Sequence, residues 1–306
     1  MVHGESDARE HLVWTRATVD GRPAVYGVAG EGRPVVFLHG WGLAHHSYKR
    51  AMKRLVHLGC RVYAPALPGF GGTPDLHGTQ FSFAGYARWV DHFLDAVGVT
   101  EPAFVLGHSF GGAVAIQLAH DHPDRVRTLV LFNSVGGATW STSESKVKAL
   151  KDRPLWDWGI HFPGDVLPLP HLTRVLPVVL EDALTNVVRN PRGLWKVANL
   201  VRQADLTAEL EELKRRKLPV VVLWGSGDKI IPRASFDALC TAIGAQGKVI
   251  EGNHSWLLAD PDAFGEVMTN VIEVAEMAKE IEELEPPRSG IRGLIRRQAR
   301  AEGKPA

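Results

Sequence analysis

The run Ala103-Phe104-Val105-Leu106-Gly107-His108-Ser109-Phe110-Gly111-Gly112 passes from an apolar segment into a serine flanked by glycines. Its first four residues have the apolar character of a buried strand, and the small residues from Ala113 onward favour a helix. A serine at so sharp a strand-to-helix turn takes a strained backbone conformation that exposes its hydroxyl, and the glycines let the neighbouring backbone pass. The pattern is typical of a nucleophile elbow with Ser109 as the nucleophile.

The helix predicted after Ser109 adds an electrostatic argument. Its free N–H groups and positive dipole end point at the serine, which suits an oxygen that becomes negative during a reaction. The alternative is a glycine-rich turn with an incidental serine, because short motifs recur by accident. The strand before the serine, the helix after it and polar partners downstream favour the elbow.

Composition limits the classes of function. With 306 residues, of which 45% are hydrophobic, the chain can bury the core of one large α/β domain or of a domain with an insertion. A net charge of +1, from 35 basic and 34 acidic residues, gives no overall attraction to nucleic acid or to an anionic membrane. The N-terminal residues lack the pattern of a signal peptide, and no apolar run reaches membrane-spanning length. We expect a cytoplasmic protein that acts on a small molecule.

Strands and helices alternate along most of the chain. Two β-prone runs separated by Asp20-Gly21-Arg22-Pro23 predict an antiparallel hairpin at one edge of a sheet. Later apolar runs alternate with helical patterns, which predicts a doubly wound, mostly parallel, eight-stranded sheet with helices on both faces. The predicted parallel strands are 34–38, 60–67, 103–106, 126–132, 218–224 and 247–251.

The alternation stops after Asn133. Residues 136–213 contain no apolar strand but hold four tryptophans, too many apolar rings for a solvated linker. We predict that 1–135 and 214–285 form the α/β core and that 136–213 is a helical insertion, whose tryptophans face the elbow or pack as a small core of their own. These four are Trp140, Trp156, Trp158 and Trp195.

Two polar residues follow the later strands directly. Asp228 comes after the strand at 218–224, and His254 comes after the strand at 247–251. Loops at the carboxyl ends of parallel strands line one crevice, so Asp228 and His254 are expected to meet Ser109 there.

The sequence resembles the α/β-hydrolase superfamily from Trp14 to about Leu284. The motifs that carry the resemblance are His39-Gly40-Trp41-Gly42, Pro68-Gly69-Phe70-Gly71, the elbow, Gly225-Ser226-Gly227-Asp228 and Gly252-Asn253-His254. The resemblance implies Ser109 as nucleophile, Asp228 as acid and His254 as base, in the chain order of that fold. It also implies an oxyanion hole made by the backbone N–H groups of Trp41 and Phe110, with 136–213 as a helical cap over it. A departure is Ala66, where members of the superfamily often carry aspartate.

These residue types predict acyl transfer without a metal or an organic cofactor. A serine hydroxyl needs an imidazole to remove its proton, and the imidazole needs a carboxylate that fixes its tautomer. We expect hydrolysis of an uncharged, apolar carboxylic ester through an acyl-enzyme. Cleavage of a carbon–carbon bond in a diketone-like substrate needs the same residues and stays open. A non-catalytic binding protein of the same fold is a third hypothesis, against which the complete triad argues.

Other residues of the motifs receive supporting or pocket roles. His39 is expected to support the oxyanion loop by hydrogen bonding, and His108 is expected to point away from the nucleophile. Asn133 stands where some relatives carry their carboxylate, but an amide cannot stabilise an imidazolium, which leaves Asp228 as the acid. The predicted lining of the substrate pocket is His39, Gly40, His108, Trp140, Trp156, Trp158 and Trp256.

The segment 286–306 alternates apolar and basic residues. Ile291, Leu294 and Ile295 stand among arginines, a pattern that can lie weakly on an anionic membrane surface. On so short an apolar face, a solvated and disordered tail is the favoured interpretation. The sequence leaves the oligomeric state open.

Overall fold

The computed structural model describes residues 12–137 and 184–284, with side chains described as far as residue 277. Eight strands are present in this part of the chain, and they form one sheet. They are Val13–Val19 (β1), Arg22–Ala29 (β2), Arg33–Leu38 (β3), Cys60–Pro65 (β4), Ala103–His108 (β5), Val126–Phe132 (β6), Val220–Gly225 (β7) and Lys248–Ile250 (β8).

The order of the strands across the sheet is β1-β2-β4-β3-β5-β6-β7-β8. The β1–β2 and β2–β4 pairs are antiparallel, and every later pair is parallel. This confirms the predicted doubly wound, mostly parallel sheet. It brings β5, β6 and β7 side by side, so the loops after these three strands leave the same edge of the sheet.

Burial explains which runs became central strands. All six residues of β5 are buried, as a strand covered by helices on both faces requires. By contrast, β1 alternates between exposed and partly buried positions, as an edge strand does. Asp20 and Gly21 join β1 to β2 with φ angles of 50° and 73°, and such left-handed turns match the twist of a hairpin.

Helices cover the sheet, and the helix that leaves the elbow is the most buried of them, with every residue from Phe110 to Ala119 inside the core. It packs against the helix Phe83–Ala96, which begins where Ser82 accepts a hydrogen bond from the Gly85 N–H. The α-helices are Lys49–His57, Phe83–Ala96, Phe110–Asp121, Pro191–Arg202, Thr207–Arg215, Arg233–Ile243, Trp256–Ala259 and Pro261–Leu284. Residues 184–189 are also helical.

The helix Thr207–Arg215 differs from the prediction. The sequence analysis assigns it to the insertion at 136–213, but Leu210 and Leu213 are fully buried in the core cluster. The helix packs against Phe110–Asp121 and Arg233–Ile243, so it forms part of the core layer. Its two buried leucines, three residues apart on one face, are the signal that the sequence reading missed.

Several predictions lie outside the described residues. Most of the predicted cap, with Trp140, Trp156 and Trp158, falls in 138–183, and the basic tail falls beyond residue 284. The chain divides into two compact units, 1–268 and 269–306, and the described part of the second is the C-terminal part of the helix Pro261–Leu284. No helix in the described ranges is both long and apolar enough to cross a membrane.

Candidate active site

Ser109 stands between β5 and the helix that begins at Phe110, as the elbow pattern predicts. Its φ and ψ angles are 52° and −116°. A non-glycine residue at positive φ is uncommon, and conformations of this kind cost on the order of 1–3 kcal/mol. The Ser109 N–H donates to the Phe132 carbonyl oxygen at 3.0 Å, which ties the turn to the end of β6.

Two positions of the motif require glycine because other backbone segments approach them too closely for a side chain. A Cβ on Gly107 would lie 2.6 Å from the Gly111 carbonyl oxygen, and a Cβ on Gly111 would lie 2.2 Å from the Leu38 carbonyl oxygen. Both distances are far below a normal contact between carbon and oxygen. The elbow helix therefore starts against the end of β3, and only glycine fits at the point of contact.

Asp228 lies in the loop after β7, where its side chain has no exposed surface. Its carboxylate accepts four hydrogen bonds, in which Oδ1 accepts from the N–H groups of Ile230 and Ile231, while Oδ2 accepts from Asn133 Nδ2 and His254 Nδ1. The His254 Nδ1 to Asp228 Oδ2 distance is 2.9 Å. Because an ionised carboxylate only accepts, the proton of the neutral imidazole sits on Nδ1, and Nε2 keeps its lone pair. This is the tautomer that a general base needs.

Asn133 donates a hydrogen bond to Asp228 from the end of β6. Its Nδ2 donates to Asp228 Oδ2 at 2.5 Å, and its Oδ1 accepts from Trp256 Nε1 at 3.0 Å. Trp256 is 2% exposed and packs against Phe132 and Phe264. The structure thus places Trp256 in the core behind the acid, which corrects its predicted place in the substrate pocket. Asn133 is a polar residue at the end of an apolar strand, and this feature of the sequence could have indicated its contact with Asp228.

His39 holds the loop that begins at Gly40. Its Nε2 accepts from the Leu67 N–H at 2.9 Å, so its Nδ1–H donates to the Gly40 carbonyl oxygen, also at 2.9 Å. The ring is fully buried, and both nitrogens contact backbone. The supporting hydrogen bonds agree with the sequence analysis, whereas the additional assignment of His39 to the pocket lining does not fit this burial.

His108 lies beside His254, with ring centroids 4.8 Å apart. Its Nε2 contacts the His254 carbonyl oxygen at 2.9 Å, and its Nδ1 contacts the hydroxyl of Tyr48 at 2.7 Å. The Gly40 N–H donates to that same hydroxyl at 3.0 Å. His108 and Gly40 are therefore joined by Tyr48, a residue that the sequence analysis did not single out.

Burial is the main reason why the pKa of His108 lies well below the ordinary value of 6.5, and the neighbouring His254 lowers it further. His108 is consequently neutral at physiological pH. This buried, neutral imidazole uses both of its nitrogens in hydrogen bonds, and it thereby connects the end of β5 with Tyr48 and with the His254 loop. It does not line a pocket, which corrects the predicted role of His108.

Known proteins are similar to this chain in sequence and in fold. The family model for the alpha/beta hydrolase fold matches residues 33–169. The pimeloyl-[acyl-carrier protein] methyl ester esterase of Aromatoleum aromaticum is 28% identical over 78% of this chain and 97% of its own. The solved structure of Est816, described as an N-acyl homoserine lactone degrading enzyme, is 25% identical with a TM-score of 0.69 and covers 84% of this chain and 99% of its own. This chain has the α/β-hydrolase fold.

A third relative is similar to this hydrolase over a shorter stretch of sequence. The 2-hydroxymuconate semialdehyde hydrolase of Pseudomonas putida is 39% identical over 117 residues, which cover 35% of this chain and 38% of the relative. The similarity therefore concerns about a third of the hydrolase.

The N–H groups assigned to the oxyanion hole belong to Trp41 and Phe110. Phe110 is the first residue of the elbow helix, and N–H groups in the first turn have no acceptor within their helix. The Trp41 indole N–H donates to the Leu194 carbonyl oxygen at 2.9 Å. The side chain of Trp41 thus reaches the helix Pro191–Arg202, while its backbone stays in the loop after Gly40.

The described end of the predicted cap contacts the same loop. Asn186 Nδ2 donates to the Gly42 carbonyl oxygen at 3.2 Å, and Asn186 Oδ1 accepts from the Gly71 N–H at 3.2 Å. Trp195 is 58% exposed. The prediction that Trp195 contributes to a roof over the crevice stays a prediction, because the other three tryptophans of the predicted cap lie outside the described residues.

In the described ranges, no group of three or more His, Cys, Asp or Glu side chains could hold a metal ion.

Proposed function

We propose that this protein is a serine hydrolase that cleaves an uncharged carboxylic ester through an acyl-enzyme formed on Ser109. The observation that carries the proposal is the hydrogen bond from His254 Nδ1 to Asp228 Oδ2, which directs an unprotonated Nε2 away from the carboxylate. The elbow supplies the serine, and its neighbour His108 contacts the His254 backbone at 2.9 Å.

The chemistry follows from these groups. Ser109 Oγ attacks the ester carbonyl while His254 Nε2 takes its proton, and Asp228 stabilises the imidazolium that forms. The backbone N–H groups of Trp41 and Phe110 would meet the negative oxygen of the tetrahedral intermediate. His254 then returns the proton to the leaving alcohol as the ester C–O bond breaks. In the second half, His254 activates water, the acyl-enzyme is hydrolysed and the carboxylic acid leaves.

Two arguments support an apolar ester as the substrate. The predicted cap carries Trp140, Trp156 and Trp158, whose rings would exclude water from an acyl chain. The relative from Aromatoleum aromaticum is named as a methyl ester esterase. An acyl homoserine lactone, the type of compound in the description of Est816, is a cyclic ester and falls within the same proposal.

Labelling with a fluorophosphonate tests the nucleophile. Wild-type protein should be labelled on one residue, Ser109, and Ser109→Ala should abolish both labelling and ester turnover, with kcat lower by about 10⁶-fold as for other serine hydrolases. The Ala variant keeps its fold, because the hydroxyl is not needed for packing. A label on another residue, or turnover that survives the substitution, would contradict the proposal.

A series of nitrophenyl esters tests the acyl specificity. Each buried methylene contributes about 0.8 kcal/mol, so kcat/KM should rise about fourfold per methylene until the pocket is full and then fall. The series runs from acetate through butyrate and hexanoate to decanoate. A flat series, or a preference for charged acyl groups, would reject an apolar acyl pocket.

Carbon–carbon bond hydrolysis is the second candidate, and the similarity to 2-hydroxymuconate semialdehyde hydrolase favours it. The same triad serves this reaction. A ring-fission diketone compared with nitrophenyl esters under identical conditions separates the two candidates. The ester proposal requires the higher kcat/KM for esters.

A further inference from the structure

One line of buried hydrogen bonds joins three loops of the candidate site. It runs from the Gly40 N–H to Tyr48 Oη, from Tyr48 Oη to His108 Nδ1, and from His108 Nε2 to the His254 carbonyl oxygen, over distances of 3.0, 2.7 and 2.9 Å. Tyr48 has no exposed surface, and His108 is 1% exposed. We name this set of contacts the Tyr48 bridge.

The direction of each hydrogen bond in the bridge is determined by its ends. The His254 carbonyl can only accept, so His108 carries its proton on Nε2. The Nδ1 of a neutral imidazole then accepts, and the Tyr48 O–H must donate to it. The Gly40 N–H fills one lone pair of the same hydroxyl. Each of the three N–H and O–H donors in the line thus has one acceptor, which leaves a single arrangement of protons.

Two members of the bridge are adjacent in sequence to the proposed reactive groups. Gly40 precedes Trp41, whose N–H is assigned to the oxyanion hole, and His108 precedes Ser109. The backbone approaches the bridge closely, since a Cβ on Gly40 would lie 2.8 Å from His108 Nδ1. A shift of Tyr48 would therefore move the oxyanion loop and the elbow relative to each other.

Tyr48 itself is held by its surroundings. It ends the short 3₁₀ helix His45–Tyr48, and its ring packs on Phe37 of β3, with centroids 4.7 Å apart. The hydroxyl is consequently presented from a rigid position between the loop after β3 and the end of β5.

We propose that Tyr48 is a positioning residue, which acts through His108 to hold the oxyanion loop and the His254 loop at a fixed distance from Ser109. This inference rests on the proposed serine hydrolase function. A misplacement of about 1 Å in a reacting group can lower the rate by about 100-fold. Because the Tyr48 hydroxyl connects three loops of the site, its removal is expected to lower the rate strongly.

The first test compares Tyr48→Phe with Tyr86→Phe. Tyr86 is an equally buried tyrosine whose hydroxyl donates to one backbone carbonyl, that of Pro68, at 3.1 Å, outside the bridge. Each variant removes one buried hydroxyl and keeps the ring. Tyr48→Phe should lower kcat by about 10- to 100-fold with KM within about threefold, because it misplaces groups that act in the transition state. Tyr86→Phe should leave kcat within about twofold. Equal kcat values in the two variants would overturn the proposal.

A double-mutant cycle tests whether Tyr48 acts through His108. His108→Met removes both contacts of the ring, whereas His108→Gln keeps a carboxamide that can donate to the His254 carbonyl and accept from Tyr48. We expect His108→Met to match Tyr48→Phe and His108→Gln to restore most of kcat. The double variant Tyr48→Phe/His108→Met should be no slower than either single variant. If the loss of kcat in the double variant equalled the product of the losses in the two single variants, the two residues would act separately, and the bridge would be overturned.

A spectroscopic readout separates failure of the bridge from failure of the proposed function. The ¹⁵N shifts of the His108 ring in the wild-type protein should report an Nε2–H tautomer that does not change between about pH 6 and pH 8. A different tautomer would overturn the bridge even in an active enzyme. Absence of fluorophosphonate labelling with the expected tautomer would instead reject the serine hydrolase and keep the hydrogen-bonded line as a structural feature.

Discussion

The elbow and the acid loop hold their functional side chains by different physical means. At the elbow, Ser109 is forced to a φ of 52° by backbone segments in close contact, and glycine is needed where the helix meets β3. In the acid loop, Asp228 is held by four hydrogen bonds from donors in three parts of the chain. The elbow should therefore be sensitive to added volume, and the acid loop to a change of hydrogen-bonding capacity.

Among the changes that distinguish the two regions, the largest effect is expected at the acid loop, from Asp228→Asn. An amide offers one acceptor oxygen where the carboxylate accepts four hydrogen bonds, and its NH₂ group would face donors. His254 would then lose the partner that fixes its proton on Nδ1. By analogy with the serine-protease acid, kcat should fall by about 10⁴-fold. The measurement is steady-state turnover of the best ester, and a loss below tenfold would reject Asp228 as the acid.

Substitutions at the elbow should change the free energy of unfolding, and they should change it in opposite directions at Gly111 and Ser109. Gly111→Ala places a Cβ 2.2 Å from the Leu38 carbonyl oxygen and should lower the free energy of unfolding by about 3 kcal/mol. Ser109→Gly removes the penalty for positive φ and should raise it by about 1 kcal/mol. Urea denaturation followed by tryptophan fluorescence measures both values. If Gly111→Ala were as stable as the wild type, steric contact would not be what shapes the elbow.

A third effect concerns the pH dependence of stability, and it is expected at His108, which lies between the two regions. Burial lowers the pKa of folded His108, while the unfolded chain titrates near 6.5. The unfolded state therefore binds more protons below that pH, so the contribution of His108 to stability is present above about pH 6.5 and is lost as the pH falls. The slope approaches about 1.4 kcal/mol per pH unit for one group.

His108→Gln is the control for this pH dependence, since an amide does not titrate. Unfolding free energies at pH 7.5, 6.5 and 5.5 should converge for the wild type and the variant as the pH falls. Parallel curves would mean that His108 takes up its proton in the folded protein at the same pH as in the unfolded chain, which the single proton arrangement of the bridge forbids.

Much of the fold was predictable because its signals are local. The β6 strand runs from Val126 to Phe132 as predicted, and the hairpin turns at Asp20 and Gly21, because apolar runs and turn residues act over a few positions. The helix Thr207–Arg215 was misassigned, since its two core leucines carry meaning only once the helices that cover them are in place.

The sequence by itself determined the elbow, the candidate triad and the alternation that builds the sheet, because glycine sterics, strand periodicity and chain order are properties of adjacent residues. The tertiary structure decided which side chains support that site. Asn133 reaches Asp228 across 95 positions, and Tyr48 reaches His108 across 60. Contacts at such separations exist because the strand order places β6 beside β7 and the loop after β3 beside the end of β5. The tertiary structure also placed Trp256 in the core and not in the predicted pocket, since an aromatic residue two positions after His254 has no local property that distinguishes a core position from a pocket position.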